Sequence, residues 1–135
     1  MLEGYSNNVA VDSMTAIPFN NVTIEKGCTA RLSAPSSIEL NKKGVYMVSV
    51  DTAAIPSTAG NVSIQLSKDG VLQSQAQSVT SGIATSASNL SFLTLVQVKE
   101  DNSCSCCSSP TNIRVINTGV PSTYEIANVV VTKVC

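Results

Sequence analysis

The five cysteines are the side chains best placed to do chemistry. Cys104, Cys106 and Cys107 form a compact Cys-Ser-Cys-Cys group, Cys28 stands far upstream, and Cys135 ends the chain. Three chemistries compete for them. Free thiols, buried or half-buried, suit a reducing cytoplasm and the odd total of five. A disulfide from Cys28 to Cys106 or Cys107 would form once the protein leaves the cytoplasm, because strand connections bring early strands beside late loops. A tetrahedral thiolate site for Zn²⁺ would use Cys28, Cys104, Cys106 and Cys107, but the paired C-x2-C knuckles of strong zinc motifs are missing. Connectivity cannot be read from spacing alone, so all three stay open and no metal or cofactor is assigned.

Other chemistry is thin. With no His in the chain, neither a Ser-His nor a Cys-His pair exists within it. Ser67 and Lys68 are adjacent on a strand pattern, which sends them to opposite faces and forbids a Ser-Lys dyad. Glu100 and Asp101 sit in a turn where solvation is the default. A hard cation wants several convergent oxygens, and no dense carboxylate cluster supplies them. The expectation is a protein that is not an enzyme.

Only 13% of the residues are charged while 43% are hydrophobic, so the surface must be built from Ser, Thr, Asn and Gln. The net charge is -1 and the basic residues are scattered, which argues against nucleic acid. No run approaches the ~18 apolar residues of a membrane span. Met1 to Ser6 lacks the basic start of a secretory leader, so synthesis in a cytoplasm is expected. Asn21-Val22-Thr23, Asn61-Val62-Ser63 and Asn89-Leu90-Ser91 match the glycosylation sequon at chance level for so polar a chain. By length the 135 residues make one domain, read as a short N-terminal arm or first strand over 1–15 and a single β domain over 16–135.

The elements that must carry these residues are strands. Period-two runs of Val, Ile and Thr recur between Gly, Pro, Asn and Ser, and no window holds a helical repeat. Val62, Ile64 and Leu66 alternate with Ser63, Gln65 and Ser67, predicting a half-buried strand with Ser63 on its wet face. Asp69-Gly70 closes it as a tight hairpin. Residues 78–88 read as a weak edge strand or a loop.

Three stretches are apolar on both faces. From Gly44 to Ile55, Tyr46, Val48 and Val50 oppose Val45, Met47 and Ile55; from Asn89 to Lys99, Leu90, Phe92, Val96 and Val98 oppose Leu93 and Leu95. From Tyr124 to Val134, Tyr124, Ile126, Val130 and Val134 oppose Ala127, Val129 and Val131. An antiparallel sheet normally keeps one wet face, so these strands are expected to pack a core on one side and another subunit on the other. The expected core includes Phe92 and Val130, and the expected interface is Val45, Met47, Leu93, Leu95, Val129 and Val131.

The order of these segments resembles the C1q and tumour-necrosis-factor-like jelly rolls. Phe19, Asn21 and Ala34-Pro35-Ser36-Ser37-Ile38-Glu39-Leu40 lead to Lys43-Gly44-Val45-Tyr46-Met47-Val48-Ser49-Val50-Asp51, which is similar to the family's Gly-x-Tyr-x-aliphatic strand after a short turn. Ile64 to Gly70 is similar to its Leu-x-x-Asn/Asp-Gly hairpin, and Leu93 to Asp101 to its late core strand and acidic turn. The resemblance spans Phe19 to Val134. It implies an all-β, antiparallel two-sheet jelly-roll sandwich of about eight to ten strands, homotrimeric, with the three double-sided strands in the inner sheet around a threefold axis.

The departures are the scarcity of Phe, the lack of Trp and the lack of a Gly-X-Y repeat. In style the chain is similar to small phage-encoded C1q-like proteins of the virion. That implies a trimeric surface component of a bacteriophage, a head decoration or fibre, made in the bacterial cytoplasm and partnered by itself and by capsid or fibre proteins. The alternative is a recognition module of a tail fibre, baseplate or bacterial surface that binds a host glycan or protein.

Overall fold

The computed structural model describes residues 1–27, 29–99 and 111–135, and its regular elements there are all strands. They are β1 (Leu2–Val11), β2 (Thr15–Ala16), β3 (Asn21–Glu25), β4 (Ala30–Ala34), β5 (Ser37–Leu40) and β6 (Gly44–Pro56). Then follow β7 (Gly60–Lys68), β8 (Val71–Gly82), β9 (Ser88–Val98), β10 (Thr111–Asn117) and β11 (Ser122–Lys133). No described helix is long and apolar enough to cross a membrane.

The strands form two antiparallel sheets. One runs β3-β1-β11-β6-β9 and the other β4-β5-β10-β7-β8, with β2 attached to β10. The order is that of a jelly roll: the first and last long strands lie side by side in the middle of a sheet, so the chain ends are tied together. The N-terminal segment is a strand: β1 pairs with β11 from Leu2↔Val131 to Val11↔Ser122.

Local chemistry places the turns. Asp69 and Gly70 adopt φ of 50° and 87°, the two positive angles of a type I′ turn whose twist matches a two-residue hairpin between β7 and β8. The Asp69 carboxylate accepts the Asn112 N–H at 2.9 Å, fastening the turn to β10. At the start of β6, the buried Tyr46 ring carries its hydroxyl to the turn before it, 2.8 Å from the Lys42 carbonyl.

The core lies between the sheets. Tyr46, Val48 and Val50 of β6 meet Val62, Ile64 and Leu66 of β7, all fully buried, as the alternation of each strand predicted. Four expectations need correction. Val129 and Val131, expected at a subunit interface, are fully buried in this core, whereas Val130, expected in the core, points outward and is half-buried. Phe92 faces inward but stays only half-buried, against the rim of the core. Ser63 is not wet: the 118–120 segment lies over it, with Ser63 Oγ 2.6 Å from Thr118 Oγ1 and the Thr118 N–H donating to the Ser63 carbonyl.

The error on β11 has one cause. Glu125 is an extra residue, since Tyr124 pairs with Ala54 and Ile126 with Ala53 on β6. That bulge reverses the alternation, so Tyr124 shares its face with Ala127, Val129 and Val131 rather than with Ile126 and Val130. On β1 the disturbance is matched by Asn8, at φ 55°, between Asn7↔Ile126 and Val9↔Tyr124.

Candidate assembly interface

The three strands that read as double-sided, β11, β6 and β9, are contiguous in one sheet. Their inward residues fill the core, so their outward residues form one surface. The cross-strand register sets that surface out in rows. Thr132, Met47 and Leu95 form one row; Val130, Ser49 and Leu93 the next. Asn128, Asp51 and Ser91 follow, and then Ile126, Ala53 and Asn89.

The apolar members of these rows are open to water. Leu93 is 64% exposed, Leu95 60% and Ile126 53%, and Val45, Met47 and Val130 around them are half-buried. Monomers rarely leave apolar patches beyond a few hundred Å² open to water. A shallow groove of about 340 Å³ follows the same face between β6 and β9, lined by Asp51, Thr52, Ala53, Asn89, Leu90, Ser91 and Ile126. Beneath it the Thr52 hydroxyl donates to the Leu90 carbonyl at 3.0 Å, holding the two strands together under the groove.

Of the expected interface, Val45, Met47, Leu93 and Leu95 lie together on this face, while Val129 and Val131 lie behind it. Sequence reasoning missed Ile126 and Val130 as outward residues. The signal for them was present in the grouping of alternate residues, but the bulge that decides which group faces the core was not.

Charge contributes little here. Arg31 Nε pairs with Glu39 Oε2 at 2.7 Å on β4 and β5, in the opposite sheet. Among the described residues no group of His, Cys, Asp and Glu is arranged to hold a metal ion. Cys135 is exposed with a free thiol. Cys28, Cys104, Cys106 and Cys107, on which the thiolate and disulfide readings rest, lie outside the described residues, as do Glu100 and Asp101.

No family model and no curated protein matches the sequence. Solved structures do match in fold. A tumour necrosis factor, Eiger, from S. frugiperda superposes with a TM-score of 0.66 at 13% identity, covering 99% of this chain and 92% of that one. The globular domain of the zebrafish complement 1qA protein gives 0.66 at 7% identity, with 96% and 94% covered. Murine APRIL at pH 5.0 gives 0.62 at 8% identity, with 98% of each chain covered. At such identities the likeness is one of fold: this chain is a jelly roll of the C1q and tumour-necrosis-factor type.

Proposed function

We propose that this chain is a non-enzymatic interaction module that works as a homotrimer, its subunits meeting through the outward face of β11, β6 and β9. One observation carries the reading. Leu93 and Leu95 stand more than half exposed on the same sheet whose opposite side is the fully buried core. The C1q-like resemblance supplies the geometry, because in that family this sheet meets two copies of itself around a threefold axis. Cyclic closure covers the face on every copy and leaves no sticky remainder.

The setting we propose is the surface of a bacteriophage particle, as a head decoration or fibre component. The support is compositional: a surface of Ser, Thr, Asn and Gln with 13% charged residues suits an exposed, protease-facing module. A second reading is receptor or glycan recognition by the same trimer. It is favoured by the connection after β8, where Ile83 is 71% exposed and Thr85 adopts φ of 71°.

Light scattering on the purified chain tests the assembly. A particle of about three times 14.0 kDa is expected, and a stable monomer at micromolar concentration would remove the proposal. For the setting, neighbouring genes for capsid and portal proteins favour decoration, and neighbouring genes for baseplate or fibre proteins favour recognition. Neighbours of neither kind would count against the particle.

A further inference from the structure

The row across the middle of the assembly face carries an uncompensated charge. Asp51 is exposed on β6, in register with Asn128 of β11 on one side and Ser91 of β9 on the other. The two rows above it carry Val130, Leu93, Met47 and Leu95, and Ile126 lies below. Apart from Glu125 in the bulge of β11, no other residue on the outward files of those three strands is ionisable. The ionisable groups nearest in the register are acidic too. Glu125 occupies the bulge of β11, and Glu3 lies on β1 beside Val130. The Glu3 carboxylate accepts a hydrogen bond from Thr23 Oγ1 at 2.6 Å, and the Tyr5 phenol stands on β1 beside Asn128. No lysine or arginine faces Asp51 from β9, β11 or β1.

We propose that assembly is linked to protons through Asp51: its carboxylate opposes association at neutral pH, and protonation on mild acidification tightens it. The inference rests on the assembly reading above. Bringing three copies of this face together would take three carboxylates partly out of water, beside Leu93, Ile126 and Val130 of a face that offers no cation of its own. Like charges that share a poorly solvated site favour the neutral form. If the assembled state binds more protons than three separate chains, linkage requires association to strengthen as pH falls. Each Asp51 takes up one proton from solvent, and no other bond changes.

Sedimentation equilibrium of the purified chain at about pH 7.5 and about pH 5.5 reads the effect, alongside Asp51→Asn and Asp51→Ser. Subunit exchange between two fluorescently labelled pools replaces it if dissociation is too weak to follow by dilution. For the wild type, association should tighten, or exchange slow, by about tenfold or more at the lower pH. Asp51→Asn should associate at pH 7.5 as the wild type does at pH 5.5, and Asp51→Ser, smaller and equally neutral, should share that loss of pH dependence. A wild type indifferent to pH, or variants that keep its full pH dependence, would overturn the proton linkage and leave the trimer standing. A monomer in every protein at both pH values would overturn the assembly reading itself.

Discussion

At the scale of single residues, two buried polar side chains differ in how they are satisfied. Asn117 is fully buried, with its amide nitrogen 3.1 Å from the Val11 carbonyl and 3.2 Å from that of Val120, while its Oδ1 accepts the Gly119 N–H at 3.1 Å. Asn117→Ala would strand these backbone groups, so a loss of about 2–4 kcal/mol in urea unfolding is expected. Tyr124 is the opposite case: it is fully buried, and its hydroxyl has no partner among the described residues. Burial alone pushes its phenol well above the usual tyrosine range. Tyr124→Phe should therefore be neutral or stabilising by about 1 kcal/mol. The pH dependence has a definite sign. The unfolded phenol ionises near pH 10 and the folded one higher, so this contribution is whole below about pH 10 and is lost as pH rises beyond it. Unfolding midpoints measured between about pH 8 and 11 should fall more steeply for the wild type than for Tyr124→Phe.

At the scale of elements, the bulge in β11 makes neighbouring positions behave differently. Leu95 projects from the sheet at 60% exposure, so Leu95→Asp should leave each subunit folded and strip it from the proposed trimer. Val131 is fully buried between the sheets, so Val131→Asp should unfold the chain, since a carboxylate there has neither water nor a cation. Circular dichroism paired with light scattering separates the two outcomes, and a folded Val131→Asp monomer would contradict the bulge. Aromatic truncations rank in the same way. Phe19, 1% exposed, should cost about 3–5 kcal/mol as Phe19→Ala, and the half-buried Phe92 clearly less. The 118–120 segment depends on a bare backbone. A Cβ on Gly119 would run into the Asn61 carbonyl oxygen and lie 2.8 Å from the Ser63 nitrogen, so Gly119→Ala should pry this segment off β7. A large fall in melting temperature is the expected readout.

At the scale of the whole molecule, assembly is expected to be apolar in origin. Its salt response should follow from that. Ion pairs weaken with salt, but a face whose only central charges are like carboxylates gains from screening. Raising salt from about 0.05 M to about 0.5 M should leave association unchanged or slightly tighter, as read by sedimentation equilibrium. Dissociation at high salt would mean that ion pairs hold the subunits. The cysteines are also tested on the intact protein. Unfolding without reductant and titrating thiols gives five if all are free, and fewer with a disulfide or a bound metal, which metal analysis then separates.

The strands and most of their faces were legible from residue order alone. In β6 and β7 the alternation is unbroken, so Tyr46, Val48, Val50, Val62, Ile64 and Leu66 could be assigned to the core by counting in twos. Asp69-Gly70 announced its hairpin because few other dipeptides take two positive φ angles at low cost. The face of β11 emerged only in the folded sheet, since a bulge is a relation between strands and Glu125 carries no local mark of being the extra residue. The folded structure also decided the fate of Ser63, whose burial comes from a segment more than fifty residues later in the chain, from Thr118 onward. Asn117 ends β10 as a buried amide only because Val11 and Val120 are brought to it. Alternation is a local rule of backbone geometry, and it holds wherever pairing is regular. Cover, register and the carbonyls that surround a buried amide are long-range facts, fixed when the two ends of the chain meet in one sheet.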